Sequence, residues 1–364
     1  MRTKLFGMGA AGNKAAILAV ENNIISKENV VLINSTLTDI PVAYEGMKYE
    51  LPGNVGGTGK DRKISKKQSK VAIEKKGIDL DKILIGNGKE QKVDQVIFVT
   101  SADGGSGSGS TVEFANYIYD VMRIPVMVFA FIGRTKDIKG LRNTVEFFKD
   151  LTKKATIQII MNESFAEDES DGNDSRIEAE ANSVFCNKLS VVLGNIIDRE
   201  SAEQNLDERE LVKIRTTPGY MVVESLISDQ KIKNTEQVRK AVTDLFDNSK
   251  SPEPDKPDMA RLGIIYNSEK EESQYLNILP VIKEKFGMPF EVFTHRQYVE
   301  KEPRHISVIM AGLVMPLDYI NSIYESYVAN TSKINKEEDI FAETMKQMDF
   351  EDDSAFEDDV EFDI

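Results

Sequence analysis

The stretch DGGSGSGST at residues 103–111 decides the fold of this 364-residue chain. An apolar, strand-like segment, VDQVIFVT at residues 93–100, precedes it, and a segment with helical periodicity follows it. Glycine has no Cβ atom, so the backbone can turn tightly and point several N–H groups at one anion, while serine and threonine hydroxyls add donors. The positive end of the following helix dipole would lie at the same point. The stretch therefore predicts a phosphate-binding turn between a strand and a helix.

A run of glycine and serine can also be a flexible linker between two self-contained regions. Here the run lies inside one strand–helix unit, and a further strand-like segment, IPVMVFAF at residues 124–131, follows shortly. This position favours the phosphate-binding turn over the linker.

The composition indicates a globular protein with a sizeable core, because 40% of the residues are hydrophobic and the chain is long enough for two domains. No apolar stretch reaches the length of a transmembrane helix, and Asn13 and Lys14 interrupt the N-terminal segment that imitates a signal peptide. The single cysteine, Cys186, excludes an internal disulfide and is expected to be a buried thiol. We therefore expect a cytoplasmic protein without a membrane span.

The two histidines, His295 and His305, have no cysteine or acidic partners at metal-ligand spacing in the sequence. This spacing excludes zinc chemistry and histidine-based nucleophilic catalysis. No metal ligand is directly identified from the sequence.

Negative charge is concentrated at the C-terminus. Residues 336–364 hold thirteen Asp and Glu against two Lys and Arg, a net charge of −11 out of −15 for the whole chain. A segment so rich in one charge cannot bury enough apolar surface to fold alone, and an acidic protein is repelled by phosphate backbones. We therefore expect a disordered tail and no direct binding of nucleic acid.

The order of the predicted elements indicates an α/β fold followed by an α+β region. In the first two-thirds, strand and helix signals alternate, which is typical of parallel strands with crossover helices. The predicted strands there are residues 3–6, 30–34, 93–100, 124–131 and 156–161, and the predicted helices end at residue 22 or span 140–154 and 176–198. The later region has predicted helices at 235–246 and 273–287, strands at 261–267, 289–295 and 304–314, and a closing helix from Pro316.

A second glycine turn, GMGAAG at residues 7–12, has the G-x-G-x-x-G spacing of dinucleotide-binding enzymes. Their fingerprint also needs an acidic residue at the end of the second strand, where this chain has Asn34, Ser35 and Thr36. A third loop, GNVGGTGKDRK at residues 53–63, contains only a fragment of a P-loop. Three such loops at successive strand ends favour a triphosphate held at several points, with an NAD(P)-dependent oxidoreductase as an alternative.

The sequence GGSGSGS at residues 104–110 is similar to the glycine-rich signature of the tubulin/FtsZ superfamily, with serine in place of threonine. The other loops follow in the order of that family, and EAEANSVFCNKL resembles its core helix. The resemblance covers about residues 1–320 and implies a GTPase that binds GTP or GDP with Mg²⁺. The residues that it implies at the nucleotide are Gly9, Ala10, Ala11, Asn13, Asn34, Gly56, Gly57, Gly104, Gly105, Ser106, Gly107, Ser108, Gly109, Asn162 and Asn182.

The segment NLDERE at residues 205–210 resembles the N-x-D-x-x-[DE] loop that one subunit of this family inserts into the nucleotide site of the next. Two carboxylates three residues apart can orient a water molecule for attack on a γ-phosphate, although this spacing is also common on solvated helix faces. Beside the glycine signature, we predict Asp207 and Glu210 as the water-activating pair and Asn205 as a positioning residue. An active site completed by the next copy implies head-to-tail filaments.

The resemblance divides the chain into a GTP-binding domain at 1–175, a central core helix at 176–203 and a C-terminal α+β domain with the catalytic loop at 204–315. A C-terminal helix and an acidic tail that we expect to be disordered occupy 316–364. One departure from the family pattern is Ile132, which stands where related proteins have an acidic ribose contact.

The C-terminal helix and charged tail resemble TubZ proteins, the tubulin-like GTPases of plasmid and phage DNA segregation. This likeness implies a filament that moves DNA through a DNA-bound adaptor of the TubR type, with the tail as the adaptor contact. The tail could equally keep filaments soluble and apart. A cell-division scaffold of the FtsZ type is the alternative function for the protein.

Overall fold

The computed structural model describes residues 2–53, 56–86, 92–134, 137–151, 153–168, 170–200, 202–228, 234–256, 258–270, 272, 277–298 and 304–331. The strands in these ranges are β1 Thr3–Met8, β2 Val30–Asn34, β3 Met47–Glu50, β4 Gln95–Ser101, β5 Val126–Ile132, β6 Thr156–Met161, β7 Ala202–Gln204, β8 Gly219–Ser228, β9 Arg261–Asn267, β10 Glu291–Gln297 and β11 Arg304–Leu313. The helices are α1 Gly9–Glu21, α2 Arg62–Glu74, α3 Leu80–Leu84, α4 Ser106–Asp120, α5 Ile138–Asp150, α6 Asp174–Leu193, α7 Glu208–Arg215, α8 Thr235–Asp247, α9 Leu279–Phe286 and α10 Leu317–Thr331.

All the strands belong to one twisted sheet in the order β3-β2-β1-β4-β5-β6-β8-β11-β9-β10-β7. The strands from β3 to β8 in this order are parallel, and β8 pairs with β6 through its first residues. On the far side, β11 is antiparallel to both β8 and β9, and β10 is parallel to β9. This confirms the predicted α/β fold with a parallel sheet and a following α+β region.

Two apolar layers cover the faces of the sheet. Helices α2, α4, α5, α8 and α10 contribute to one layer, and α1, α6 and α7 contribute to the other. The central helix α6 packs through Phe185, whose ring lies 5.0 Å from that of Phe129 and 6.1 Å from that of Phe131. Edge-to-face contacts of this kind add to the hydrophobic stabilisation that burial supplies. They hold α6 across the carboxyl half of β5.

Both glycine runs differ from their prediction as turns. Residues 9–12 and 106–111 already form the first turns of α1 and α4. The reason is close packing: a Cβ atom on Gly12 would lie 2.1 Å from the carbonyl oxygen of Val99. Helical glycines thus let α1 lie directly against β4.

Other boundaries differ for local reasons. The predicted loop at residues 53–63 ends earlier, because α2 begins after Asp61, whose carboxylate accepts the N–H of Lys63 at 2.9 Å. The central helix ends at Leu193 and not near residue 198, because Gly194 adopts the left-handed conformation with φ of 76°. In the predicted helix 273–287, the described helical part is only Leu279–Phe286. The predicted tail after residue 331 lies outside the described residues.

Cys186 is the buried thiol that its sequence context predicts, with 2% of its surface exposed. Burial raises the pKa of this thiol to about 11, so it stays protonated at neutral pH. Within the described part of the chain, none of the helices is both long and apolar enough to cross a membrane.

Candidate functional site

Two adjoining cavities open at the carboxyl ends of the parallel strands. We name the first, of about 450 Å³, the glycine cavity, because Gly9, Gly56, Gly57 and Gly104–Gly107 line it. We name the second, of about 330 Å³, the asparagine cavity, because it contains Asn162 and Asn182. The side chains that line both are those of Ala11, Lys60, Ser101, Asp103 and Glu178. The two cavities therefore form one elongated site with a junction in its middle.

The sheet topology explains this position. Met8, near the end of β1, pairs with Ile33 of β2 and with Thr100 of β4, so these strands end at the same level. Strand β2 lies on one side of β1 and β4 lies on the other. The strand order therefore reverses at β1. Crevices at such switch points are the usual ligand sites of open α/β sheets.

The N-termini of α1 and α4 meet in the glycine cavity. A Cβ atom on Gly9 would lie 2.7 Å from the backbone nitrogen of Gly107, and a Cβ atom on Gly107 would lie 2.6 Å from the carbonyl oxygen of Met8. Only glycine permits this approach, and Gly9 also has a φ of 72°. Two helix dipoles thus present their positive ends to one cavity, which favours a ligand with several negative charges.

Hydroxyl groups join the loops around this cavity. The Ser106 hydroxyl lies 2.5 Å from that of Ser35 and 3.2 Å from that of Thr58. Asn34 donates to Asp39 at 2.8 Å and accepts the N–H of Ser35 at 2.9 Å, so its side chain braces the loop after β2. These hydroxyls supply further donors to an anion.

The loop that carries Gly56 and Gly57 is held over the site by its last residues. Gly56 and Gly57 have φ values of 93° and 101°. Lys60 forms an ion pair with Asp137 at the start of α5, and this hydrogen bond lowers the pKa of the Asp137 carboxyl. Lys60 is the last residue of the P-loop fragment, but it was not among the predicted site residues. Its ammonium group places positive charge beside both cavities.

The asparagine cavity combines amide groups with apolar walls. Asn162 follows β6, Asn182 lies on α6, and Phe131, Ile177 and Ala181 line the same space. The buried Asn162 Oδ1 atom has no hydrogen-bond partner among the described residues. An unpaired buried acceptor is costly, so this atom is suited to a ligand that donates a hydrogen bond. The structure thus brings together two asparagines that the sequence separates by twenty positions.

Three of the predicted nucleotide residues lie behind the cavity walls. Asn13 is fully buried beneath Gly7, and the Ser108 hydroxyl donates to the carbonyl oxygen of Gly104. Gly109 lies against α2, where a Cβ atom would be 2.0 Å from the hydroxyl of Ser65. These residues shape the walls and do not line either cavity.

The acidic segment lies at the amino ends of the parallel strands, opposite the carboxyl ends where the cavities open. Asp207 caps α7, accepting the N–H of Glu210 at 2.8 Å, and Glu210 accepts the N–H of Asp207 at 2.9 Å. Glu208, which follows Asp207, lines a cavity together with Thr3 at the start of β1, and at the other end of α7 Arg215 Nη2 lies 3.4 Å from Thr3 Oγ1. Six residues of β1 separate this end of the sheet from the cavities, a distance of about 20 Å. The predicted catalytic residues Asn205, Asp207 and Glu210 are therefore remote from the cavities of their own chain.

His295 holds the start of this segment in place. Its Nδ1 atom accepts the N–H of buried Leu206 at 3.3 Å, and its Nε2 atom lies 2.8 Å from Gln297 Oε1. Burial lowers the pKa of His295, which favours the neutral ring that this acceptor role needs. His295 was excluded from metal binding and nucleophilic catalysis on its sequence spacing, and this structural role was not predicted, because Leu206 lies far from it along the chain.

The strand order and the paired helix N-termini at its switch point define an α/β protein with the fold of the tubulin/FtsZ superfamily. The chain is structurally similar to solved TubZ, CetZ and FtsZ proteins. No protein-family model matches the sequence, and no curated protein matches it.

Three solved structures illustrate this similarity. A GTPγS-form protofilament of Bacillus thuringiensis serovar israelensis TubZ is 15% identical, with a TM-score of 0.73 and coverage of 94% of each chain. A GTPγS-bound protofilament of Haloferax volcanii CetZ2 is 16% identical, with a TM-score of 0.70 and coverage of 91% of this chain and 100% of that one. An empty FtsZ dimer from M. jannaschii is 17% identical, with a TM-score of 0.65 and coverage of 85% and 88%.

Proposed function

We propose that this protein is a GTPase that assembles head to tail and hydrolyses GTP between successive copies. The proposal rests on one observation: the anion-binding cavity and the acidic segment lie at opposite ends of the parallel strands. The anion-binding cavity opens at the carboxyl edge of the parallel strands, and the acidic capping box of α7 lies at their amino edge. A copy stacked on the next brings the acidic segment of one copy to the cavity of the other, and such a heterologous contact repeats into a filament.

The nucleotide is expected to span both cavities. The phosphates would lie at the N-termini of α1 and α4, and the base would lie between Asn162 and Asn182. Side-chain amides offer both donors and acceptors, which suits the mixed hydrogen-bonding edge of guanine, and the unpaired Asn162 Oδ1 atom would accept from its N–H groups.

Magnesium fits this site only together with the phosphates. The described residues contain no cluster of three or more potential metal ligands, whereas Asp39 and Asp103 line the glycine cavity singly. Mg²⁺ commonly binds through one or two carboxylates, substrate phosphates and water. When bound, it would neutralise charge on the phosphates during transfer.

Hydrolysis would use the exposed carboxylate of Asp207 and the half-buried one of Glu210 from the adjacent copy. Within one chain, each carboxylate already accepts a backbone N–H, so their geometry is set before any partner arrives. A fixed pair of acceptors can orient a water molecule for attack on the γ-phosphate.

The structural neighbours support assembly, since the TubZ and CetZ2 structures are protofilaments. Their TM-scores and that of FtsZ fall within a narrow range, 0.65 to 0.73, so the fold does not separate their cellular roles. We propose DNA partition of the TubZ kind from the acidic C-terminal tail, which would attract a basic, DNA-bound adaptor.

The main test is GTP turnover as a function of protein concentration, with ATP in parallel and light scattering recorded on the same samples. Turnover per molecule should rise cooperatively with concentration and in step with scattering, because only an assembled site is complete. Turnover per molecule that stays flat would contradict the shared site. Binding of NAD(P) without GTP would reopen the oxidoreductase alternative.

The partition role is tested by a chain that ends at Thr331, the last residue of α10. This chain should assemble and hydrolyse GTP as the full chain does but should lose binding to the DNA-bound adaptor, measured by co-sedimentation with the filaments. Unchanged adaptor binding would exclude recruitment of the adaptor through the tail and would favour a role of the tail in keeping filaments soluble and apart.

A further inference from the structure

The junction between the two cavities is where a bound nucleotide would carry its ribose. A base in the asparagine cavity and phosphates in the glycine cavity leave the sugar between them, beside the residues that line both. The ribose of GTP has two hydroxyl groups that donate hydrogen bonds. A hydrogen-bond acceptor at the junction can therefore recognise this sugar.

The junction side chains other than Glu178 are apolar, can only donate, or are already bonded to each other. Ala11 is apolar, and the ammonium group of Lys60 only donates. The Ser101 hydroxyl donates to the carboxylate of Asp103. That carboxylate is also enclosed on one side, because a Cβ atom on Gly133 would lie 2.3 Å from Asp103 Oδ2.

Glu178 has a free acceptor. Its carboxylate is about half exposed and accepts a hydrogen bond through Oε2 from Lys14 Nζ at 3.1 Å. The other oxygen, Oε1, has no hydrogen-bond partner among the described residues. An ionised carboxylate is an acceptor only, and hydrogen bonds to it are stronger than those to neutral groups.

Among residues 132–134, the described residues at the end of β5, no side chain is a competing acceptor. Ile132 is fully buried in the apolar layer beneath α4 and α5. Arg134 has a guanidinium group that only donates, and it is bonded to the carbonyl oxygen of Asp171. The Asp137 carboxylate, which lines the asparagine cavity, is paired with Lys60, whereas Glu178 offers a free acceptor oxygen from α6.

We propose that Glu178 is the ribose-recognition residue of this site, with Lys14 as the positioning residue that holds its carboxylate. Glu178 precedes Asn182 by one helical turn, so both lie on the same face of α6. One helix face then reads the base through Asn182 and the sugar through Glu178. This inference rests on the proposed binding of GTP.

The test compares the binding of GDP, 2′-deoxy-GDP and 3′-deoxy-GDP by calorimetry, at a protein concentration below that of assembly. The wild-type protein should bind GDP roughly tenfold more tightly than at least one of the deoxy nucleotides, the effect of one charge-assisted hydrogen bond at a half-exposed site. Glu178→Ala should bind all three nucleotides equally, with an affinity near that of the wild type for the discriminated deoxy nucleotide.

Glu180→Ala is the matched control. Glu180 lies on the same helix, pairs with Arg176 at 2.9 Å and lines neither cavity. It should keep the full preference for GDP. The proposal is overturned if Glu178→Ala also keeps that preference, if the preference disappears only in Asp103→Asn, or if the wild type shows none. Failure of the wild type to bind any of the three would instead contradict the proposed function itself.

Discussion

A mixture of two inactive variants, Asp207→Asn and Gly107→Ala, is expected to hydrolyse GTP although neither variant does so alone. Asp207→Asn would keep the proposed nucleotide cavity intact but lack the acidic group that we propose acts on the next copy. Gly107→Ala lacks the cavity but keeps the acidic segment. In the mixture, the segment of the second variant can complete the cavity of the first, because the two halves lie at opposite edges of each copy.

The choice of asparagine at position 207 separates catalysis from folding. Asp207 caps α7 by accepting the N–H of Glu210 at 2.8 Å, and asparagine is an equally good cap residue. Alanine would cost about 1 kcal/mol of stability at this cap. Asparagine removes only the charge, and the loss of a positioned acid or base should lower turnover by roughly a hundredfold or more.

The measurement is phosphate release by each variant alone and by equal mixtures at constant total concentration. Restored turnover in the mixture supports a site shared between copies. If Asp207→Asn alone keeps the wild-type rate, Asp207 has no catalytic role. A mixture that stays inactive while both variants assemble contradicts the sharing of the site.

Gly107→Ala is expected to weaken nucleotide binding strongly. The added methyl group would lie 2.6 Å from the carbonyl oxygen of Met8 and 2.6 Å from the hydroxyl of Thr100. The first is backbone and cannot move aside without displacing the end of β1 or the start of α4. Either shift separates the two helix N-termini that face the phosphates, and it should weaken binding by roughly a hundredfold, about the effect of losing two hydrogen bonds to a charged group.

The binding of a fluorescent GTP analogue checks this expectation, with thermal unfolding measured in parallel. Gly77→Ala is a matched control, because a Cβ atom there would be no closer than 3.7 Å to any neighbouring atom. It should bind with wild-type affinity. Wild-type affinity in Gly107→Ala would show that the approach of α1 and α4 does not form the phosphate site.

Patterns that are local in sequence predicted much of the fold. The parallel strands β1, β2, β4, β5 and β6 are rich in apolar residues, and β2 and β6 have the predicted limits. Strand β3 was not predicted, because its sequence MKYE alternates apolar and charged residues over only four positions. Helix α2 was not predicted, because its buried positions are Arg62, Ser65, Gln68, Ser69 and Ala72, which give almost no apolar periodicity. The Arg62 guanidinium group is instead paired with Glu146 at 3.0 Å and Asp150 at 3.1 Å. Such a pairing depends on α5, which lies more than seventy residues later in the chain.

The sequence by itself determined the chemistry of each loop: glycines and hydroxyls after β1 and β4, asparagines after β6 and on α6, and paired carboxylates at Asp207 and Glu210. These properties belong to residues next to one another along the chain. Only the tertiary structure decided which of them meet. The packing of α6 across the sheet brings Glu178 and Asn182 to the cavities. The chain that follows α6 places Asp207 at the amino ends of the parallel strands. Burial of the apolar faces of the sheet sets both placements, and that burial depends on contacts between residues far apart in sequence.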